Sequence, residues 1–294
     1  SVTINSNEGG YFDNINWNSA YWWTKNTEGS IIRDSEDFYY GTGSLKAVAS
    51  LADDYENDKV RLWTRAGNCG TAISSGQSWN VSFYIKGEIG DSVEFKLIDD
   101  GSSYDDSIGD ASYSIAYNGW HYMRLNIIAT GSASSSDGRL RINFKSPGTY
   151  RLDNIVLEQE TAFNNWYVDD NGSNTNNGTD PSTPFKNLRN ATITNSNYNN
   201  GDLVHVMNGT YKNTNWDGQN NGDNDNNNAY ITISNSNILS SNNGTINRPI
   251  VLRNYVESNG AHHTPTIYFD GSAGFSLGSA NAPISHAEIA GFTI

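Results

Sequence analysis

Along the first half of the chain, apolar and polar positions alternate in short runs separated by clusters of Gly, Asn, Asp and Ser. These runs are Lys59 to Arg65, Trp79 to Lys86, Val93 to Ile98, His121 to Ile128, Arg139 to Lys145 and Tyr150 to Leu157. A period of two places alternate side chains on opposite faces, so each run predicts a strand with one face in a core. Turn signals at these intervals predict a β-sandwich. After about Glu160 the apolar runs become shorter and more uniform: Leu203 to Met207, Pro249 to Leu252, Thr266 to Phe269 and Ala287 to Ile294. Spaced at roughly twenty residues, such runs predict the stacked coils of a parallel β-solenoid. A stretch from Pro184 to Thr192 suits a short helix capping the first coil. The pattern predicts an all-β chain of two domains, residues 1–160 and 161–294, with the boundary between 158 and 165.

Composition narrows the partners. The 294 residues carry 18 Lys+Arg against 32 Asp+Glu, a net charge of −14, which argues against a nucleic-acid partner. No apolar stretch approaches the roughly 18–20 residues of a membrane-spanning helix. One cysteine, Cys69, excludes an intrachain disulfide and a multi-cysteine zinc site. With 17 Tyr, 8 Trp and 10 Phe in a Gly- and Asn-rich chain, the composition points to a secreted or cell-surface β protein. Of the 18 Lys+Arg, 13 precede Gln159, so the positive charge gathers in the first domain.

Strand parity locates candidate binding residues. Arg61, Trp63 and Arg65 share one side of their run; Tyr84 and Lys86 share the non-core side of theirs; Arg141 lies with Arg139, Asn143 and Lys145. If these strands share a sheet, its outer face gathers cations around Trp63 and Tyr84. Aromatic rings stack on the C–H faces of sugars, and guanidinium groups grip carboxylates or sulfates, so such a face would select an anionic polysaccharide. The adjacent Trp22 and Trp23 form a second candidate platform, since one of two neighbours in a strand faces outward. The acidic run Asp217, Asp223 and Asp225 lacks the closing Glu of a calcium-binding EF-hand loop. The histidines are scattered, and Asp270 with Glu288 is the one carboxylate pair worth noting, so the spacing assigns no catalytic residues.

The first half resembles jelly-roll carbohydrate-binding modules of families 4, 9, 16 and 22. The resemblance rests on Tyr11-Phe12-Asp13 with Trp17, Gly41 to Lys46, Ser82 to Gly87, Gly119 to Tyr122 and Tyr150 to Leu157. It implies that Trp17, Trp79 and Trp120 are core residues. It also implies a structural calcium ion, with Asp13 and Asp153 among its ligands. The second half resembles the N-terminal coils of a right-handed parallel β-helix of the polysaccharide lyase type, through Trp166 to Ser173, Asn177 to Thr179, Thr183 to Leu188, Gly201 to Tyr211, Arg248 to Arg253 and Ile289 to Ile294. In those lyases the catalytic groups lie in later coils. The expectation is therefore the front part of a longer protein, continued by further coils or capped by another chain beyond Ile294, and without lyase activity by itself. It would be a polysaccharide-binding module on a lyase or glycosidase; the alternative is a non-catalytic adhesin or structural stalk.

Overall fold

The computed structural model describes residues 22–26, 29–50, 60–64, 71–101, 107–159, 164–188, 191, 201–213, 231–233, 249–269, 275–277 and 287–293. The chain separates into two compact units, Ser1–Ala162 and Phe163–Ile294.

In the first unit β1 (Trp22–Asn26), β2 (Gly29–Asp34), β3 (Ser44–Ala49), β4 (Val60–Thr64) and β5 (Ser78–Lys86) are followed by β6 (Ser92–Asp99), β7 (Ser107–Ser114), β8 (His121–Ile128), β9 (Gly138–Phe144) and β10 (Gly148–Gln159). They form two five-stranded sheets, in the orders β1-β4-β9-β6-β7 and β2-β3-β10-β5-β8. Every pairing within them is antiparallel. The alternation in the sequence explains the layering: Leu62, Phe95, Leu140, Ile142 and Phe144 of the first sheet meet Leu45, Val81, Phe83, Ile85 and Leu152 of the second in one core. Phe83 stacks on Phe95 with ring centroids 4.4 Å apart.

Strand β10 departs from strict alternation. Asp153 pairs with Tyr84, but Val156 rather than Ile155 pairs with Ser82. The extra residue is a β-bulge, accommodated by Asn154 at a φ of 49°. Leu152 and Ile155 both reach the core, while Asp153 faces the other side of the sheet beside Tyr84.

In the second unit β11 (Asn165–Val168), β12 (Leu203–Val206), β13 (Thr210–Asn213), β14 (Ile231–Ile233), β15 (Ile250–Asn254), β16 (Thr266–Phe269), β17 (Phe275–Leu277) and β18 (Ala287–Ala290) follow in order. All their pairings are parallel: β11-β12-β15-β18 in one sheet, β13 with β16, and β14 with β17. From β12 onward the chain visits the three sheets in turn and then repeats. Trp166, Val204, Leu252 and Ile289 stand in register and pack together with Phe185 and Tyr211. Equivalent positions therefore recur at roughly forty rather than twenty residues. Ile267, between Val251 and Ile289 in the chain, pairs with Tyr211 in a different sheet, so the twenty-residue spacing mixes strands of two sheets. Leu188 and Ala191 of the expected capping segment are helical and buried in this second core.

Candidate functional site

Because Val60, Leu62, Leu140, Ile142, Val93 and Phe95 point into the core, the residues between them line the outer face of the first sheet. Two rows cross all five strands there. In one, Trp23, Trp63, Arg141, Lys96 and Asp110 stand in register; in the next, Lys25, Arg61, Asn143, Glu94 and Ser112 do so. The face is recessed: Arg61, Arg141 and Asn143 are only 5%, 3% and 2% exposed, while Trp63 is half-buried. The Arg61 guanidinium sits 5.7 Å from the centre of the Trp63 ring, within cation–π range.

Guanidinium groups keep their charge when desolvated, so burying them calls for acceptors close by. Glu94 is a carboxylate of this face. It accepts a hydrogen bond from Asn143 Nδ2 at 2.9 Å and lies 3.3 Å from Lys96 Nζ and 3.8 Å from Lys145 Nζ. At one end of the face, Arg139 Nη2 lies 3.4 Å from Asp100 Oδ2. Burial pushes the Asp100 carboxyl above its ordinary value, with Arg139 opposing. An indole flanked by guanidinium groups on a recessed sheet can stack on a sugar ring while gripping an acidic substituent.

The candidate residues divide between the two sheets. Arg61, Trp63 and Arg141 come together; Tyr84 and Lys86 belong to β5 of the other sheet, so no single face holds all five. Parity assigns a side of a strand, not the sheet that receives it. Trp22 is fully buried in the core, where its indole is out of reach of a sugar; Trp23 takes the register position beside Trp63. Arg65, Asp13 and Trp17 lie outside the described residues, as do Cys69, Asp217, Asp223, Asp225 and Asp270. Trp79 is a core residue as expected. Glu94 and Lys96 complete the face and were legible in the same alternation, opposite Val93, Phe95 and Leu97.

Tyr84 is itself covered, at 1% exposure, by the connection between β2 and β3. The Tyr39 ring lies on the Tyr84 ring with centroids 3.7 Å apart and planes 15° apart. Lys86 Nζ binds Asp37 Oδ2 at 2.8 Å, and Trp120 donates its indole N–H to Asp37 Oδ1 at 2.8 Å. Arg151 Nε lies 3.0 Å from Asp34 Oδ2 and 3.2 Å from Asp37 Oδ2. Burial works against charge on both aspartates, yet the hydrogen bonds and cations outweigh it, leaving both carboxyls below their ordinary values. Asp153, fully buried, accepts the main-chain N–H groups of Tyr39, Tyr40 and Asn154. A calcium ion at Asp153 would need further oxygen ligands. Among the described residues no three His, Cys, Asp or Glu side chains gather as a metal site.

In the second unit the outward row of the four-stranded sheet brings Tyr167, His205 and Arg253 into register. Tyr167 stacks on His205, and Tyr255 meets both edge-on. Burial and the Arg253 guanidinium push the His205 imidazole down to about 3, so it is neutral at any ordinary pH. Arg253, fully buried, lies 3.6 Å from Glu288. No local pattern marks this meeting, because its residues come from four strands far apart in sequence.

No family model matches the chain, and no curated protein matches it. Its similarities are to solved structures, among them carbohydrate-binding modules. The N-terminal cellulose-binding domain of Cellulomonas fimi β-1,4-glucanase C is 18% identical, with 54% of this chain and 98% of that one covered and a TM-score of 0.37. The family 22 xylan-binding domain from Paenibacillus barcinonensis is 15% identical, covering 52% and 94%, with a TM-score of 0.34. An arabinose-bound α-L-arabinofuranosidase is 13% identical over 46% of this chain, which spans 22% of that enzyme, with a TM-score of 0.37. Among the described residues no helix is long and apolar enough to cross a membrane.

Proposed function

We propose that the first unit binds an anionic polysaccharide on the outer face of its β1-β4-β9-β6-β7 sheet. The observation that carries this reading is the juxtaposition of Trp63 with Arg61 and Arg141 on a recessed face. An aromatic ring alone would serve a neutral glycan; desolvated guanidinium groups beside it suit a carboxylate or sulfate on the sugar. By strand parity in the sequence, Trp23 and Arg65 are assigned to the same binding site in this reading. A structural calcium ion beside Asp153 belongs to the proposal, held by that carboxylate, by main-chain carbonyls of the loop it closes and by Asp13. The second unit is read as the opening coils of a right-handed parallel β-helix, supported by the repeating visit to three parallel sheets and by the stacked core of Trp166, Val204, Leu252 and Ile289. The whole would be the binding front of a secreted polysaccharide lyase or glycosidase. Affinity electrophoresis on alginate, pectin and sulfated galactan tests the binding claim: Trp63→Ala and Arg141→Ala should each lose retention on the anionic polymer that the native chain binds.

A further inference from the structure

We propose that the first unit carries a second glycan site on the opposite face of its sandwich, where Phe38, Tyr39, Tyr40 and Trp120 form an aromatic platform for a neutral pyranose glycan. Three successive rings are exposed there, Phe38 and Tyr39 by 37% and Tyr40 by 47%. Trp120, expected as core, is half-buried beside them, its ring centroid 6.3 Å from that of Tyr39.

The loop presenting these rings is fastened from beneath. Buried Asp153 accepts the amides of Tyr39 at 3.1 Å and Tyr40 at 2.9 Å. Asp34 Oδ1 accepts those of Glu36 and Asp37, and Ser44 Oγ donates to the Asp37 carbonyl at 2.6 Å. Arg33 donates to the Thr42 carbonyl and to Thr42 Oγ1. Tyr39 rests on Tyr84, which in turn meets Tyr122 edge-on at 5.3 Å. Tyr39 is the ring stacked on Tyr84. Phe38 and Tyr40 flank it with their rings exposed, and Asp153 holds the amide of Tyr40 as it holds that of Tyr39. Rings ordered before a ligand arrives lower the ordering cost of binding.

The chemistry of the surroundings selects the occupant. Lys86 and Arg151 are already matched by Asp34 and Asp37, so an acidic sugar finds less to grip here than at the Trp63 face. The carboxylates at the rim disfavour an anionic lipid surface. Flat amphipathic rings match the C–H faces of an uncharged pyranose.

The test uses the full chain with xylan, mixed-linkage β-glucan and β-1,4-galactan, alongside the anionic polymers. The native chain should be retained on at least one neutral glycan. The Phe38→Ala/Tyr40→Ala double variant should lose that binding by about ten-fold or more with an unchanged melting temperature and unchanged anionic retention. A saturating neutral oligosaccharide should leave the anionic retention in place. The proposal is overturned if the native chain binds no neutral glycan, if the double variant binds as before, or if neutral oligosaccharide displaces the anionic polymer, which would mean one shared site. Loss of retention on phosphatidylcholine vesicles, in place of glycan, would assign the platform to lipid and overturn it equally. Failure here leaves the Trp63 face untouched, because its own ligands and variants report on it separately.

Discussion

Asp153 Oδ2 accepts the main-chain N–H of Tyr40 at 2.9 Å across 113 positions of sequence. Its carboxylate also holds Tyr39 and Asn154, so one buried side chain fixes the loop, the bulge in β10 and the seat of Tyr84. Asp153→Ala should strand at least two amide donors, at about 1–3 kcal/mol each, and Asp153→Asn should cost less because one acceptor oxygen survives. Urea denaturation followed by tryptophan fluorescence measures both. Equal stability of all three chains would contradict the assignment.

Calcium is tested on the same residue. If Asp153 holds the ion, adding calcium to chelator-treated chain should raise the melting temperature by several degrees, about 1 kcal/mol at the melting point. That gain should vanish in Asp153→Ala. An identical melting curve with and without calcium would remove the metal from the account.

Acid should weaken the first unit through Asp34 and Asp37. Both carboxyls lie below their ordinary values when folded, so their contribution is complete above the unfolded value of about 4 and is lost as pH falls through the folded ones. Asp91 and Asp100, raised chiefly by burial, act with the opposite sign: protonation favours their folded forms. Replacing Arg151 by Met should flatten the acid limb of stability between pH 5 and pH 2 by removing the cation that both Asp34 and Asp37 share. Thermal melts across that range decide it, and a limb as steep as the native one would argue against the pairing.

Glu288 and Arg253 provide a test of the second unit. Arg253 is fully buried beside Glu288, so Glu288→Ala should destabilise this unit by about 3–5 kcal/mol. Hydrogen exchange at Leu203–Val206 should report the loss while the first unit stays protected. Unchanged protection there would show that the pair contributes nothing.

The legible part of this structure is the part that repeats. Strands β5, β6, β8 and β9 were evident from alternation, because each buries one face against the other sheet. Which sheet a strand joins was not evident: Tyr84 and Trp63 have the same outward parity but sit on opposite faces. Trp22 and Trp23 show the same limit, since adjacency says that one turns inward without saying which. The bulge at Asn154 reverses the parity of the residues after it, and no local signal marks it. The Phe38–Tyr40 loop carries no sequence signal because irregular backbone has no period; its order comes from Asp153, Lys86 and Trp120, far away in sequence. In the second unit, short apolar runs marked the strands, but their assignment to three sheets required the pairing itself.

The measurement closest to the central claim is retention of the native chain and of Trp63→Ala and Arg141→Ala on alginate, pectin and sulfated galactan, with melting curves to confirm folding. The account predicts binding of the native chain to at least one of these polymers, weakened by added salt and lost in both variants. Native-like retention of both variants, or no retention of the native chain on any anionic polymer, would contradict it.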